Sequence, residues 1–512
     1  MHRRDFLIDL TRYAALASIV PNDWRVVHRP RFADDPFALG VASGDPTSTS
    51  AILWTRLAPR PLEPMGGMSG LKAMVTWEVA DDDKFTKIVK EGRATAAPEL
   101  GFSVHVDVTG LAPDRWYFYR FRSGEATSPV GRVRTTPAAG VRKPFTFAFA
   151  SCQHYEQGLY TAHQHMAREN IDFVAFLGDY IYEGGPTPTA VRTHASAEAM
   201  TLDGYRGRYA QYKTDPALQA AHLTCPWIAI TDDHEVDNNY ADLNSENGFE
   251  SVEWMRNRRA AAYQAWWEHQ PVRTPRANSW ADLVMMRRMD WGDLARFHFL
   301  DGRHYRSAKS CDDGTKTVPC GDWDDPKRTM LGPDQEKWLS DGLATSKHHW
   351  QILANQVMLA PFDSRPGPER AYSMDQWSGY PAAGERLLTS IARYARNRTI
   401  TISGDIHSSW VNELHEHFGR DDTPIVGAEF VGTSVASGGD GSEQPRYVTT
   451  ALPDNPHIKW QNSRRGYVVC NVTEEAATAD YRTVQYVSKP DAPIATPTRW
   501  RTEHGRPGIT KA

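Results

Sequence analysis

Five short apolar runs in this chain each end on residues that bind metals. The middle run is Phe173-Val174-Ala175-Phe176-Leu177, which reaches Gly178 and then Asp179, with Tyr182 three residues on. Its uninterrupted apolar character reads as a strand buried on both faces. Gly178 lets the backbone turn sharply at the strand's end. The other four behave alike. Phe145 to Ser151 leads into Cys152, and Trp227 to Thr231 into Asp232-Asp233-His234-Glu235. Trp350 to Ala354 leads into Asn355-Gln356, and Thr399 to Gly404 into Asp405-Ile406-His407. Ligand sites of open α/β sheets gather outside the carboxyl ends of the strands. One or two such endings arise by chance; five in order mark a site.

At 512 residues the chain exceeds what one core supports, so two domains are expected. A net charge of −5 gives no electrostatic case for nucleic-acid binding. No apolar run approaches the ~20 residues needed to span a bilayer, so stable membrane insertion is not expected. Of the five cysteines, Cys311 and Cys320 flank a polar loop containing Gly314 and Pro319. That pattern suggests a disulfide, the alternative being two surface thiols. Cys225 and Cys470 lie beside strand-like runs and read as small buried hydrophobes.

The N-terminal Arg3-Arg4-Asp5-Phe6-Leu7, with the apolar run Tyr13 to Val20 behind it, resembles a twin-arginine export signal. The alternative is an ordinary basic N-terminus. The resemblance implies a twin-arginine translocase as partner and a periplasmic, secreted or cell-surface destination, with residues 1–30 set apart from the fold. Residues 35–137 read as short strands separated by turns. Phe102, Val104, Val106 and Val108 alternate with Ser103, His105 and Asp107, and Tyr117, Tyr119 and Phe121 alternate likewise. Leu111 and Pro113 ahead of that Tyr-x-Tyr strand resemble a fibronectin type III arrangement, so a β-sandwich is expected. From 144 to 488 strands alternate with helical stretches at Leu159 to Asn170, Leu202 to Thr214, Ser251 to Gln270 and from Gly332. The expected fold is an α/β layered domain of two packed sheets flanked by helices. The Pro-containing end, 489–512, is expected to be a strap or disordered.

The residue types at the strand ends divide into two sets. A Tyr182 phenolate at neutral pH needs a strong Lewis acid beside it, since phenol ionises near ~10. A Cys152 thiolate favours a transition metal over calcium or magnesium. Cys, Asp, Tyr and His around one ion point to Fe³⁺. Asp233, Asp405 and an amide oxygen of Asn355 or Gln356 are hard donors that select Ca²⁺, Mg²⁺ or Mn²⁺ over Zn²⁺. Two metals close together can clamp a phosphoryl group and activate water. His234 then stands where a leaving-group acid or transition-state donor is wanted.

Gly178-Asp179-Tyr180-Ile181-Tyr182, Asp233-His234-Glu235 and Gly404-Asp405-Ile406-His407 resemble the metallophosphoesterase signatures of purple acid phosphatases. The resemblance is closer to PhoD-like alkaline phosphatases and phosphodiesterases. It extends over Ser151-Cys152-Gln153, Leu300-Asp301-Gly302-Arg303 with Tyr305-Arg306, and Ser408-Ser409-Trp410. It implies alkaline hydrolysis of phosphate mono- and diesters, small or polymeric, outside the cytoplasm, with iron and calcium. It places Asp179 as the bridge, Cys152, Tyr182 and His407 on iron, and Asp233 and Asp405 on calcium, with Mn²⁺ or Mg²⁺ as substitutes. Alignment puts Gln356 where purple acid phosphatases carry a histidine. Asn355 is one step away, and alternation lets only one of the two face the metals; Gln356 is favoured. Arg303 is expected either to contact phosphate or to pair with Asp301 or another acid. Glu235 is expected to orient a ligand or His234. A phospholipase D-type diesterase of the same family is the nearest alternative. A non-catalytic surface protein on a decayed scaffold is the other, and the intact ligand set argues against it.

Overall fold

The computed structural model describes residues 26–276, 278–420 and 422–512. The Arg3-Arg4 pair and the run Tyr13 to Val20 lie outside the described residues. Among those described, two large sheets pack face to face, and helices cover their outer faces. Alternation along one strand builds three of these layers. Phe145, Phe147 and Phe149 point toward the second sheet, while Ala148 and Ala150 point toward the helices. Between the sheets, Phe147 stacks on Phe173 at 5.2 Å and meets Phe297 edge-on at 5.3 Å. Offset and edge contacts of this kind add about 0.5–1.5 kcal/mol per pair to the burial itself.

The first sheet places strands Gly466–Val472, Phe145–Ala150, Phe173–Phe176, Trp227–Ala229 and Val41–Gly44 side by side. The Phe145, Phe173 and Trp227 strands are parallel. Their carboxyl ends therefore lie on one edge, which brings together the turns carrying Cys152, Asp179 and Asp233. In the second sheet Ala295–Phe299, Trp350–Ala354 and Thr399–Ser403 are parallel neighbours. They deliver Arg303, Asn355 and Asp405 to the same edge. Tyr205, Tyr209 and Trp266 from helices Leu202–Lys213 and Val252–His269 cover the outer face of the first sheet. Side-chain oxygens of Thr201 and Ser251 cap those helices.

The N-terminal part packs two sheets around Leu53, Val75, Val104, Tyr119 and Phe121. One of these sheets is not its own. Val41–Gly44 pairs with Trp227–Ala229, and Ser50–Arg56 and Ser103–Thr109 follow, so three strands extend the large sheet that carries the site. Tyr117 Oη accepts from the Ala112 amide at 2.9 Å and fixes the turn before its strand. The chain end departs from expectation. It is neither strap nor disordered: Ile494–Glu503 pairs antiparallel with Ala476–Val484, and Thr510–Lys511 closes the edge. Most residues of Ile494–Glu503 are exposed or half-buried and Pro497 lies within it, so no apolar run marks it as a strand. Cys311 and Cys320 are bonded, and Cys152, Cys225 and Cys470 are free and buried.

Candidate metal centre

The strand ends meet because two glycines let backbones approach. Gly178 has φ +111°, and a Cβ there would lie 2.3 Å from Asp232 Cβ. A Cβ on Gly404 would lie 2.4 Å from Ser151 Oγ. Cys152, Asp179, Asp405 and His407 themselves hold positive φ, between 54° and 64°. Such backbone is least costly for the two aspartates and strained for Cys152 and His407.

These turns bring ligating atoms of Cys152, Asp179 and His407 within 4.8 Å of one another. Asp179, Asp233 and His234 form a second such group, and Asp232, Asp233 and Asp405 a third. Tyr182 Oη joins the first, donating to Asp179 Oδ2 at 2.8 Å and lying 3.2 Å from His407 Nε2. The Tyr182 ring is packed between the imidazoles of His154 and His234, at 4.2 and 4.0 Å between centroids. Ser437 Oγ donates to Tyr182 Oη at 2.7 Å. Asp179 belongs to both the first group and the second, so it stands between them.

The charges do not balance among the side chains alone. Asp179, Asp232, Asp233, Asp375 and Asp405 are clustered carboxylates, against which stand the guanidinium groups of Arg303 and Arg306. Burial, with Asp233 nearby, pushes the Asp179 carboxyl well above the ordinary range. Burial pushes Asp405 up to about 6. Asp233 goes the other way: Arg303 and His234 outweigh its burial and hold it low. Burial and the neighbouring Asp179 raise both the Cys152 thiol and the Tyr182 phenol far above their usual values. Ionising these groups together requires added positive charge of high density. Asp232 Oδ2 and Asn355 Oδ1 are buried acceptors with no hydrogen-bond donor, and Asp233 Oδ1 has only the Arg303 guanidinium, 3.3 Å away. Such orphaned oxygens cost about 1–3 kcal/mol each unless a cation or water meets them. The residues present fit a pair of unlike cations.

One expectation changes, for Gln356, and Arg303 takes one of its two alternatives, the pairing with other acids. Gln356 does not offer its oxygen freely: Oε1 accepts from Gly302 N at 3.0 Å, and Nε2 donates to Leu300 O at 2.7 Å and Thr231 O at 2.9 Å. Asn355 Nδ2 donates to Val357 O and leaves Oδ1 without a donor, so Asn355 replaces Gln356 as the amide ligand candidate. Arg303 is fully buried and donates to Asp232, to Asp375 Oδ1 at 2.7 Å and to Asp405 Oδ1 at 3.0 Å. It is a counter-charge inside the carboxylate cluster, not a free phosphate donor. Its partner is not the Asp301 side chain, whose oxygen caps backbone amides of Arg303 and His304.

Glu235 ties two ligand-bearing turns together. Its carboxylate accepts the amides of Asp179 at 3.0 Å, Tyr180 at 2.6 Å and Asp232 at 2.7 Å. Sequence reasoning missed Glu183. Its Oε2 lies 2.7 Å from His234 Nδ1 and its Oε1 accepts from Asn238 N at 2.8 Å. Burial alone would lower the His234 pKa, but Glu183, Asp233 and Asp179 outweigh it and raise it well above the usual histidine value. Gln376 was missed too; its amide donates to Asp405 Oδ2. A groove of about 850 Å³ runs past Trp323, Tyr372 and Phe418, and none of the candidate ligands lines it.

Comparison with known proteins gives a consistent set of matches. A family model described as PhoD-like phosphatase matches residues 147–481, and one described as PhoD-like phosphatase, N-terminal domain, matches 23–137. Alkaline phosphatase D of Bacillus subtilis (strain 168) is 47% identical over 488 residues, covering 94% of this chain and 83% of the relative. The solved structure of PhoD superposes with a TM-score of 0.92 at 46% identity, covering 94% of this chain and 93% of that one. Purple acid phosphatase PPD1 from yellow lupin seeds superposes at 0.57 and 12% identity, over 92% and 74% of the two chains, which is a likeness of fold.

Proposed function

Since this chain belongs to the PhoD-like phosphatase family and is a phosphoester hydrolase, we propose that it cleaves phosphate mono- and diesters at alkaline pH, with two unlike cations activating water. The observation that carries the reading is the division of the site. Thiol, phenol and imidazole gather on one side of Asp179, and the carboxylates of Asp232, Asp233 and Asp405 on the other. Cys152, Tyr182 and His407 would hold Fe³⁺; Asp233, Asp405 and Asn355 would hold Ca²⁺, with Asp179 between. Bound there, the pair would supply Lewis acidity toward a phosphoryl oxygen and toward water.

The chain's own groups do the rest. Arg303 holds Asp232, Asp233 and Asp405 in a fixed array. Glu183 fixes the His234 ring through Nδ1 and stabilises its protonated form, which leaves Nε2 as the nitrogen that hands a proton to the leaving oxygen. Glu183 beside Nδ1 raises the His234 pKa and so favours the protonated ring that donates to the leaving oxygen.

A panel of alkyl and aryl phosphate mono- and diesters, assayed before and after a calcium-selective chelator, tests this reading. Hydrolysis of both ester classes should be lost on chelation and return with Ca²⁺. Recovery with Zn²⁺ and not with Ca²⁺ would overturn the hard-cation assignment. A headgroup preference on choline-type diesters with no monoester turnover would favour the phospholipase D-type alternative. We further propose export through the twin-arginine route, on the strength of Arg3-Arg4 ahead of Phe6-Leu7, and a role in phosphate scavenging, which an exported phosphoester hydrolase would serve. Lysine at both positions should retain the precursor inside the cell; undiminished export of that variant would refute the route.

A further inference from the structure

The segment closed by the Cys311–Cys320 disulfide is bonded to both sides of the oxygen-rich half of the centre. Within it, Thr315–Val318 pairs antiparallel with Arg370–Ser373 in a two-stranded sheet that joins no other sheet among the described residues. A lone two-stranded ribbon is marginally stable in water. Here one strand lies inside the Cys311–Cys320 loop, whose cysteines are nine positions apart, and Met374 N donates to Gly314 O at 2.9 Å.

The ribbon reaches the site by two routes. On one side, Asp313 Oδ2 accepts from Asn239 Nδ2 at 2.8 Å. The Asn239 backbone amide in turn donates to Asp233 Oδ2 at 2.7 Å, from a residue held at φ 51°. Such a left-handed residue needs outside support to keep its amide aimed. Arg306 donates to the Asn239 carbonyl at 3.0 Å, and Lys309 lies 3.3 Å from Asp313. On the other side, the Arg370–Ser373 strand runs directly into Asp375 and Gln376. Asp375 Oδ1 accepts from Arg303 and Arg306, each at 2.7 Å, and Gln376 donates to Asp405. Thus one ribbon sets the amide on Asp233 and the amide on Asp405. Among the described residues its hydrogen bonds do not extend to Cys152, Tyr182 or His407.

We propose that this ribbon, one strand of which lies in the disulfide loop, is a positioning element for the cation held by Asp233 and Asp405, with Asp313 and the Cys311–Cys320 bond as its positioning residues. The proposal rests on the reading that these two aspartates hold a hard cation. Groups that orient ligands typically change metal affinity ~10–100-fold when removed. The effect should fall on calcium and spare iron.

The test is equilibrium dialysis of the whole protein against calcium buffers. Calcium and iron are counted per chain, and calcium-dependent hydrolysis is followed in parallel. Asp313→Ala should raise the free calcium at half occupancy ~10-fold or more with iron per chain unchanged. Asp313→Asn, which keeps an acceptor for Asn239, should restore most of the affinity. Cys311→Ser with Cys320→Ser, and wild type reduced under native conditions, should both behave like Asp313→Ala. An unchanged calcium half-occupancy in a folded Asp313→Ala would overturn the proposal. So would an equal loss of calcium and iron, which is what general destabilisation gives. Asp313 is a partly exposed side chain, so its variants keep the test available if the cysteine variant fails to fold. Wild type that takes up no calcium in the same dialysis would refute the underlying cation reading, an outcome separate from any difference between variants.

Discussion

His234 and Glu183 show how residue-scale electrostatics set a working pH. The carboxylate 2.7 Å from Nδ1, with Asp233 and Asp179 behind it, holds His234 in its protonated form beyond the ordinary histidine range. A raised pKa means that acid catalysis is fully available below that pKa and is lost as pH rises through it. Glu183→Gln removes the largest raising influence, so the alkaline limb of the rate profile should move to lower pH. Activity at neutral pH should change less. His234→Ala should cost ~10²–10⁴-fold on alkyl esters and spare aryl phosphates, whose leaving groups need little proton assistance. Equal losses on both classes would assign His234 to charge stabilisation. The sequence showed His234 because it follows a ligand-type pair at a strand end. It hid Glu183, because an acid in a Gly-containing turn reads as solvated surface. Only the fold places that turn beneath the imidazole.

At the scale of elements, each strand presents its ligand through the turn beyond its last residue. Apolar runs located all five strand ends, since a strand covered on both faces leaves a plain sequence signature. Alternation could not decide between Asn355 and Gln356. The chain leaves the strand there: Gln356 folds back onto Thr231, Leu300 and Gly302, and its carbonyl accepts from Gly404 N. Two outcomes separate the neighbours. Asn355→Leu should raise the calcium needed for half-maximal activity with little change in thermal stability. Gln356→Met breaks bonds to three backbone groups and should cost stability, about 1–3 kcal/mol for the buried groups left unpaired. If Gln356→Met alters the calcium requirement and Asn355→Leu does not, Gln356 is the ligand. The left-handed conformations of Cys152, Asp179, Asp405 and His407 were equally hidden, since none is a glycine.

For the whole molecule, the layered α/β body and its site edge were legible, because apolar runs and ligand types coincided in order along the chain. The way the parts join was not. Strands Val41–Gly44, Ser50–Arg56 and Ser103–Thr109 alternate like any half-buried strands, and nothing local says that they extend the large sheet across Trp227. The join is firm: Trp54 Nε1 donates to Glu268 O at 2.8 Å, and Arg56 lies 2.7 Å from the His269 ring nitrogen. The N-terminal part therefore buttresses the strand that carries Asp233. On the proposed reading, one side of Asp179 holds iron and the other a hard divalent ion. The most direct check is the metal content and visible spectrum of the purified protein, with Tyr182→Phe beside it. Iron should be found together with calcium, and the wild type should show a visible charge-transfer band that Tyr182→Phe loses with its fold retained. A colourless, fully active wild type carrying zinc and no iron would contradict the two-cation reading.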